Sequence, residues 1–268
     1  MKLLKIFFRG IQKGNLTSRA SSTAFNFFLA VFPSIIFLFT LIPYIPIDNF
    51  QDQLMDLLKE FMPRSAFEAT ESTLEDIIKH QNGGLLSVGF IAALYFSTNG
   101  FNALIEAFNQ SYHNTETRSF MMQRLISVLL VFILTLLIVI AISLIIISEI
   151  ALHKIFQRDF LASFMIQMGR GVIIFALFFF LISFTYFLGP SKKTRWKFFN
   201  PGSLLATILS ILTSVGFAFY VNNFGQYNKL YGSIGTLIVV LLWIYFNSFV
   251  LLIGFELNAS INTAKQTK

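Results

Sequence analysis

The sequence contains no cysteine and few charged residues, and both features exclude some kinds of site and some classes of protein. Without cysteine the chain can form no disulfide, no thiolate metal site and no cysteine nucleophile. Charged residues make up 12% of the 268 residues, whereas soluble domains usually carry roughly 25%. There are three histidines, and no metal-binding, phosphate-binding or nucleophile motif accompanies them. We therefore expect no cofactor, no metal site and no enzyme activity.

Six long apolar segments dominate what is present. Each is long enough to cross a hydrocarbon core of about 30 Å, which takes about 20 helical residues. Segments of this kind cannot be solvated in water, so we predict an all-α polytopic membrane protein with six transmembrane helices, forming a single membrane domain over residues 1–268. The predicted helices cover residues of about 20–47, 84–110, 122–148, 170–190, 200–222 and 231–258.

The basic residues predict the orientation of these helices. One side holds residues 1–19, the second and fourth connections and the C-terminal tail, with thirteen of the twenty Lys and Arg residues; the other holds ten of the thirteen acids. The positive-inside rule therefore places both termini in the cytoplasm. The basic residues lie at helix ends, which argues against nucleic-acid binding. Residues 2–13 form either an amphipathic helix on anionic lipid or a charged flank that only sets orientation.

One connection, residues 48–83, is long enough to fold outside the membrane. It carries eight acids, and apolar residues at helical spacing on both sides of Pro63 predict an extracytoplasmic helical hairpin that caps the membrane domain. Acid clusters are candidates for a divalent cation. Because the calcium-loop pattern is missing, a solvated acidic face is the favoured interpretation.

A polar stripe runs along the second segment. Asn99, Asn102, Glu106 and Asn109 follow helical spacing and share one face. They cannot face lipid, because a charged side chain at the bilayer centre costs about 2.5–3.5 kcal/mol. The stripe either lines a cleft or joins helices through hydrogen bonds, and both interpretations stay open.

The sixth segment supplies two further candidates for the polar cleft, Glu256 and Asn258. Glu256 is predicted to lie near the same membrane boundary as Glu106. Arg19 and Arg124 flank the first and third segments at that level. We therefore expect one of the two glutamates to form an ion pair with one of these arginines.

Small residues predict that the fifth helix packs closely against a neighbouring helix. Without water to drive helices together, small side chains at a spacing of four allow the backbones to approach closely. A proline inside the first segment predicts a kink. The residues assigned to packing or kinking are Pro33, Gly202, Ala206, Ser210, Ser214, Ala218 and Gly254.

Residues 217–258 also contain a specific motif, F-x-x-Y-V-x-N-F-x-x-Y-N-K-x-Y-G-S-x-G followed by L-x-W-x-Y and G-x-E-L-N. With residues 20–38, 83–112 and the basic loop before residue 200, it resembles the YihY/virulence factor BrkB family of bacterial inner-membrane proteins. The resemblance implies six membrane helices and no agreed activity, and some members carry an old ribonuclease label. The matching positions are Pro33, Ala107, Asn109, Tyr227, Asn228, Tyr231, Gly232, Trp243, Gly254, Glu256, Leu257 and Asn258.

Two functions fit these features. The first is a transporter or flippase that moves an amphipathic or lipid-like envelope component through a cleft lined by the second and sixth helices. The alternative is a non-transporting scaffold or regulatory partner that docks through the acidic cap. Ribonuclease activity is disfavoured, because a metal-dependent nuclease needs clustered carboxylates or histidines. Membrane lipids are the expected partners, nucleic acid is not, and a homo-oligomer and an envelope protein partner stay open.

Overall fold

The computed structural model describes residues 2–44, 51–52, 55, 64–111, 118–155, 160–191, 198–223 and 233–266. These residues are almost entirely helical and contain no β-strand, which confirms the predicted all-α class. Six of the helices they form are long and apolar enough to cross a membrane. The chain is therefore a polytopic helical membrane protein, as the apolar segments indicate.

The described helices continue past the apolar segments that predict them. Six of them, α2 and α4 to α8, correspond to the six predicted spans, and α2, α5, α6 and α8 extend clearly beyond the predicted ranges. At the C-terminal ends of α5 and α8 the helical backbone continues where the side chains become polar, and a hydropathy pattern does not detect those turns. The bounds are α1 Lys2–Lys13, α2 Leu16–Leu41, α3 Arg64–Lys79, α4 Gly83–Asn109, α5 Phe120–Ile155, α6 Phe160–Leu188, α7 Pro201–Asn223 and α8 Ser233–Gln266.

Two compact units make up the chain, and the larger one comprises Met1–Asn26 and Thr98–Lys268. Within it, α7 and α8 make the most extensive contact, and α5 packs on α6 and α6 on α7. The basic N-terminal segment is the helix α1, and α1 packs against α8. The first and last parts of the chain are therefore neighbours in this unit.

The second unit, Phe27–Ser97, contains α3 and the adjoining parts of α2 and α4. Here α3 contacts the 3-10 turn that follows α2, and the rings of Phe37 and Phe90 lie 5.5 Å apart. Hydrogen bonds from Lys79 to Glu75 and Asp52 raise the pKa of the Lys79 ammonium above its ordinary value. Of the predicted cap, α3 is the second half, and most of the first half (48–50, 53–54 and 56–63) lies outside the described residues.

The outer faces of the long helices carry large apolar side chains. On α5, Phe120 and Leu125 are 77% and 63% exposed. Polar side chains on such faces bond their own helix, as when the Thr135 hydroxyl donates to the Val131 carbonyl oxygen at 2.9 Å. Apolar exposure with internally satisfied polar groups is what a lipid environment requires.

Candidate functional site

A buried ion pair joins the first and last membrane helices. Arg19, in the first turn of α2, donates through Nη1 to Oε1 of Glu256 on α8 at 3.0 Å. The two side chains are 4% and 0% exposed. The expected pairing of a glutamate with a boundary arginine is thus confirmed for Glu256. Within a low-dielectric interior each charge makes the burial of the other tolerable, so loss of one leaves a costly buried charge.

The same guanidinium also fixes the turn between α1 and α2. Nη1 of Arg19 donates to the carbonyl oxygen of Gly14 at 2.9 Å. The next residue, Asn15, has a φ of 46°, a left-handed conformation that asparagine tolerates better than most residues. A Cβ on Gly14 would lie 3.1 Å from the arginine and 2.5 Å from the Gly10 carbonyl oxygen. Arg19 therefore holds the end of α1, the start of α2 and α8 at one point.

The polar stripe of α4 is bonded to the first turns of α5. Arg124 donates to Oδ1 of Asn99, and the Gln123 amide donates to Oδ1 of Asn102 at 2.9 Å. All four side chains are half-buried. These contacts are the kind that the helix-joining interpretation predicts, and the four side chains stay partly accessible.

The stripe divides at its end. Glu106 is exposed, and Oε1 accepts a hydrogen bond from the Gln110 amide at 3.2 Å. Asn109 is buried, and its Oδ1 accepts from the backbone N–H of Ser191 at 2.9 Å. Asn109 therefore anchors the segment that follows α6, whereas Glu106 stays at the surface of the described structure.

Asn258 has a different environment from Glu256, two residues earlier on α8. Its Oδ1 accepts from the Gly202 N–H at 2.8 Å, and its amide donates to Asn200. Asn200 in turn accepts from the Ser203 N–H at 2.7 Å, so it caps α7, with Pro201 in the first-turn position that tolerates a missing N–H. Asn258 thus joins α8 to the start of α7 where the two helices cross.

The predicted small residues of α7 are buried near the start of the helix, where it crosses α8, and become exposed toward its end. Ala206 and Ser210 are buried. Ser214 is half-buried and accepts a hydrogen bond from the Trp243 indole at 3.2 Å, while Ala218 is exposed. The helix α2 continues through Pro33.

A cluster of rings brings the second and sixth membrane helices together. Phe108 of α4 stacks on Phe255 of α8 with centroids 4.3 Å apart, and Tyr186 of α6 meets both rings edge-on. The Tyr186 hydroxyl donates to the Leu251 carbonyl oxygen at 2.5 Å. All three rings are buried. Such edge-on and stacked pairs stabilise by about 0.5–1.5 kcal/mol beyond their buried area.

Several participants in these contacts escaped the sequence analysis. Gln123 is a single polar residue in the first turn of α5, and no periodicity marks it. The pair Asn200-Pro201 predicts the start of α7 but not the hydrogen bond that Asn200 accepts from Asn258. For Arg118 the sequence predicts only a contribution to the orientation of the helices, yet Arg118 donates to the carbonyl oxygens of Leu188, the last residue of α6, and of Pro190. Its partial burial lowers the pKa of the guanidinium. The sequence signal for this contact is that Arg118 lies in the second connection, which is predicted to be on the same side of the membrane as the fourth.

Some positions of the sequence motif lie outside the described residues, and a search for metal-binding side chains covers only the described residues. Tyr227, Asn228, Tyr231 and Gly232, which carry much of the resemblance, lie outside them. Among the residues that the structure does describe, no three histidine, aspartate or glutamate side chains come together to hold a metal ion.

Comparisons with known proteins place the chain in a family. Virulence factor BrkB is the family that matches it, over residues 7–268. The putative ribonuclease-like protein YfkH of Bacillus subtilis is 33% identical over 99% of this chain and 97% of its own length. A UPF0761 membrane protein of Aggregatibacter aphrophilus is 24% identical over 98% of the chain and 93% of its length, and one of Haemophilus influenzae 22% over 96% and 94%. No solved structure matches.

These similarities extend over the helices described above. The family match includes all six membrane-spanning helices, and the Bacillus subtilis relative covers them as well. The chain belongs to the Virulence factor BrkB family of bacterial membrane proteins.

Proposed function

We propose that this protein is a transporter or flippase that moves an amphipathic, lipid-like envelope component across the bacterial inner membrane, with both termini in the cytoplasm. One observation carries the proposal: a row of accessible polar side chains along α4 and at the start of α5. We call it the polar track; its residues are Asn99, Asn102, Glu106, Gln110, Gln123 and Arg124.

The polar track offers both charges and several amides to a head group. Every one of its side chains is half-buried or exposed, so a ligand can reach it without unfolding a helix. Arg124 and Glu106 provide opposite charges near the two ends of the row. A zwitterionic or phosphate-containing head group could form hydrogen bonds with these side chains one after another. These bonds lower the free-energy cost of moving the head group out of water.

The apolar surface beside the polar track supports an amphipathic cargo. Leu125 and Leu129 of α5, one and five residues beyond Arg124, are exposed. Acyl chains can remain in lipid against such residues while the head group follows the track. Phe108 and Phe255 join α4 to α8 on the far side of α4, since residues 106 and 108 are about 200° apart on a helix. The sixth helix thus supports the track from behind.

The test is lipid movement in vesicles reconstituted with purified protein. We expect Asn102→Leu and Glu106→Gln to reduce the rate per folded molecule about tenfold or more, because each removes one step of the track, while the melting temperature stays near that of wild type. Asn26→Leu is the matched control, because the Asn26 amide donates to the Ser22 carbonyl oxygen of its own helix. Its rate should equal that of wild type.

The proposal fails in either of two ways. Wild-type vesicles that move no labelled phospholipid faster than empty vesicles would reject transport of lipids. Variants that melt early and keep the wild-type rate per folded molecule would show that the polar residues only join helices.

The exposed acids of α3 favour a second candidate. Glu71, Glu75 and Asp76 are exposed, which suits docking of a basic partner and thus a scaffold or regulatory role. Crosslinking through the Glu71 carboxylate in intact cells, with Glu71→Gln as the control, distinguishes the two. A partner captured only by the acidic form supports docking.

We also propose that the chain has no ribonuclease activity, although the name of the Bacillus subtilis relative is ribonuclease-like. A nuclease of the metal-dependent type needs carboxylates or histidines around its ions. RNA incubated with purified protein and Mg²⁺ should stay intact. Cleavage that is abolished by Glu106→Gln would overturn this part of the proposal.

A further inference from the structure

A groove of about 490 Å³ lies where α1 turns into α2, beside α8. Gln12, Asn15, Thr17 and Ser18 line it with amide and hydroxyl groups and are exposed. Ile11 and Phe249 contribute apolar surface and are half-buried. A groove of this size, polar along one part and apolar along another, suits the head and upper chain of an amphipathic molecule.

The position of the groove limits what can occupy it. Leu16, which also lines it, is the first residue of the membrane-spanning stretch that contains α2. The groove therefore lies at the depth where lipid head groups meet acyl chains. α1, which precedes it, presents Phe8 to the surroundings with 55% of that side chain exposed, as an interfacial helix does.

The charges of α1 select among lipids. Lys5 and Arg9 are exposed, and with Gln12 they are spaced by four and three residues, so the three share one face of α1. Because Gln12 lines the groove, this face places two cations in a row that leads toward it. No acidic residue occurs in α1. The complementary occupant carries negative charge on its head group.

The walls of the groove are held in place by the buried ion pair. Gly14 lies between groove residues and accepts a hydrogen bond from Arg19 at 2.9 Å, while Arg19 is paired with Glu256. The turn is thereby tied to α8, the helix that supplies Phe249. A site formed from a fixed turn binds its ligand with less loss of conformational freedom.

We infer that this groove is a binding site for one anionic phospholipid, with its phosphate near Lys5, Arg9 and Gln12 and the start of an acyl chain against Ile11 and Phe249. The inference is independent of the proposed transport function, since the groove and the polar track share no residue. It would make α1 a lipid-recognising element of the protein.

Native mass spectrometry of the purified protein, titrated with phosphatidylglycerol or with phosphatidylcholine of the same acyl chains, tests the site. We expect one phosphatidylglycerol to bind in preference to phosphatidylcholine. Lys5→Gln combined with Arg9→Gln should weaken phosphatidylglycerol binding about twenty-five-fold, because each basic residue near a lipid surface contributes on the order of fivefold. Lys79→Gln combined with Arg170→Gln removes the same charge elsewhere and should leave binding unchanged.

A second pair of variants tests the groove itself. Ser18→Trp fills it and should abolish the preferential binding, whereas Ser87→Trp, at another exposed serine of a membrane helix, should not. Equal binding of the two lipids by wild type, or full phosphatidylglycerol binding by a folded Ser18→Trp variant, would overturn the inference. If Ser18→Trp does not fold, the variant with both Lys5 and Arg9 replaced decides, because it changes only exposed side chains.

Discussion

Gly254 of α8 lies directly against Gly202 of α7. A Cβ on Gly254 would come within 2.6 Å of the Gly202 carbonyl oxygen, and equally close to the Tyr186 hydroxyl. A Cβ atom does not approach a non-bonded oxygen so closely, so the two glycines set the distance between these helices. The N–H of Gly202 is meanwhile bonded to Asn258, which fixes the register of the crossing.

Gly254→Ala should therefore destabilise the protein by about 1–3 kcal/mol, because the added methyl group forces α7 and α8 apart. Thermal unfolding in detergent measures the effect. Gly216→Ala is the matched control on α7, where a Cβ would meet nothing within 4 Å; it should be neutral or slightly stabilising, since alanine favours a helix. Equal melting temperatures for both variants would contradict the close crossing.

Glu256→Gln should be strongly destabilising, on the order of 3–5 kcal/mol, because Arg19 would remain charged and buried. Glu106→Gln makes the same chemical change at an exposed site and should cost little. Combining Arg19→Gln with Glu256→Gln should cost less than the sum of the two single changes, which a double-mutant cycle of unfolding free energies measures. Strict additivity would show that the two groups do not interact.

Substitution by leucine along α7 should show a gradient. Ala206→Leu and Ser210→Leu overfill buried positions and should lower stability most, Ser214→Leu should have a smaller effect, and Ala218→Leu should have none because Ala218 is exposed. The four melting temperatures give the order. A large effect at position 218 alone would contradict this order, because it would place the helix contact at the C-terminal end of α7.

Single cysteines test the proposed orientation, since the natural chain has none. A membrane-impermeant maleimide should label Thr70→Cys in intact cells and Thr194→Cys only after permeabilisation, because the basic loop around residue 194 stays in the cytoplasm under the positive-inside rule. The cysteine-free parent protein is the control for background labelling. The reverse pattern would invert the topology.

The Arg19–Glu256 pair shows what the sequence can predict about such a site. Both residues fall near one membrane boundary when helices are counted at 1.5 Å per residue, and a buried charge needs a partner. The partners of Asn99 and Asn102 depend instead on how far α5 is rotated about its axis. The nearly uniform apolar surface of α5 contains no information about that rotation.

Residues close in sequence can also have unrelated surroundings. Glu256 and Asn258 were assigned to one polar cleft, and two residues on a helix point about 200° apart. Accordingly Glu256 bonds Arg19 of α2, whereas Asn258 bonds the start of α7. That both residues line one cleft stays a prediction.

The pairing of Arg19 with Glu256 has a consequence for synthesis. The two residues are separated by 237 positions, and a ribosome adding about 5–20 residues per second needs tens of seconds to make the second after the first. During that interval Arg19 can enter the membrane only with water or lipid phosphate as a substitute partner. We therefore expect the first helix to reach its final depth only when the last has emerged, and chains truncated before residue 256 to be substrates for quality-control proteolysis.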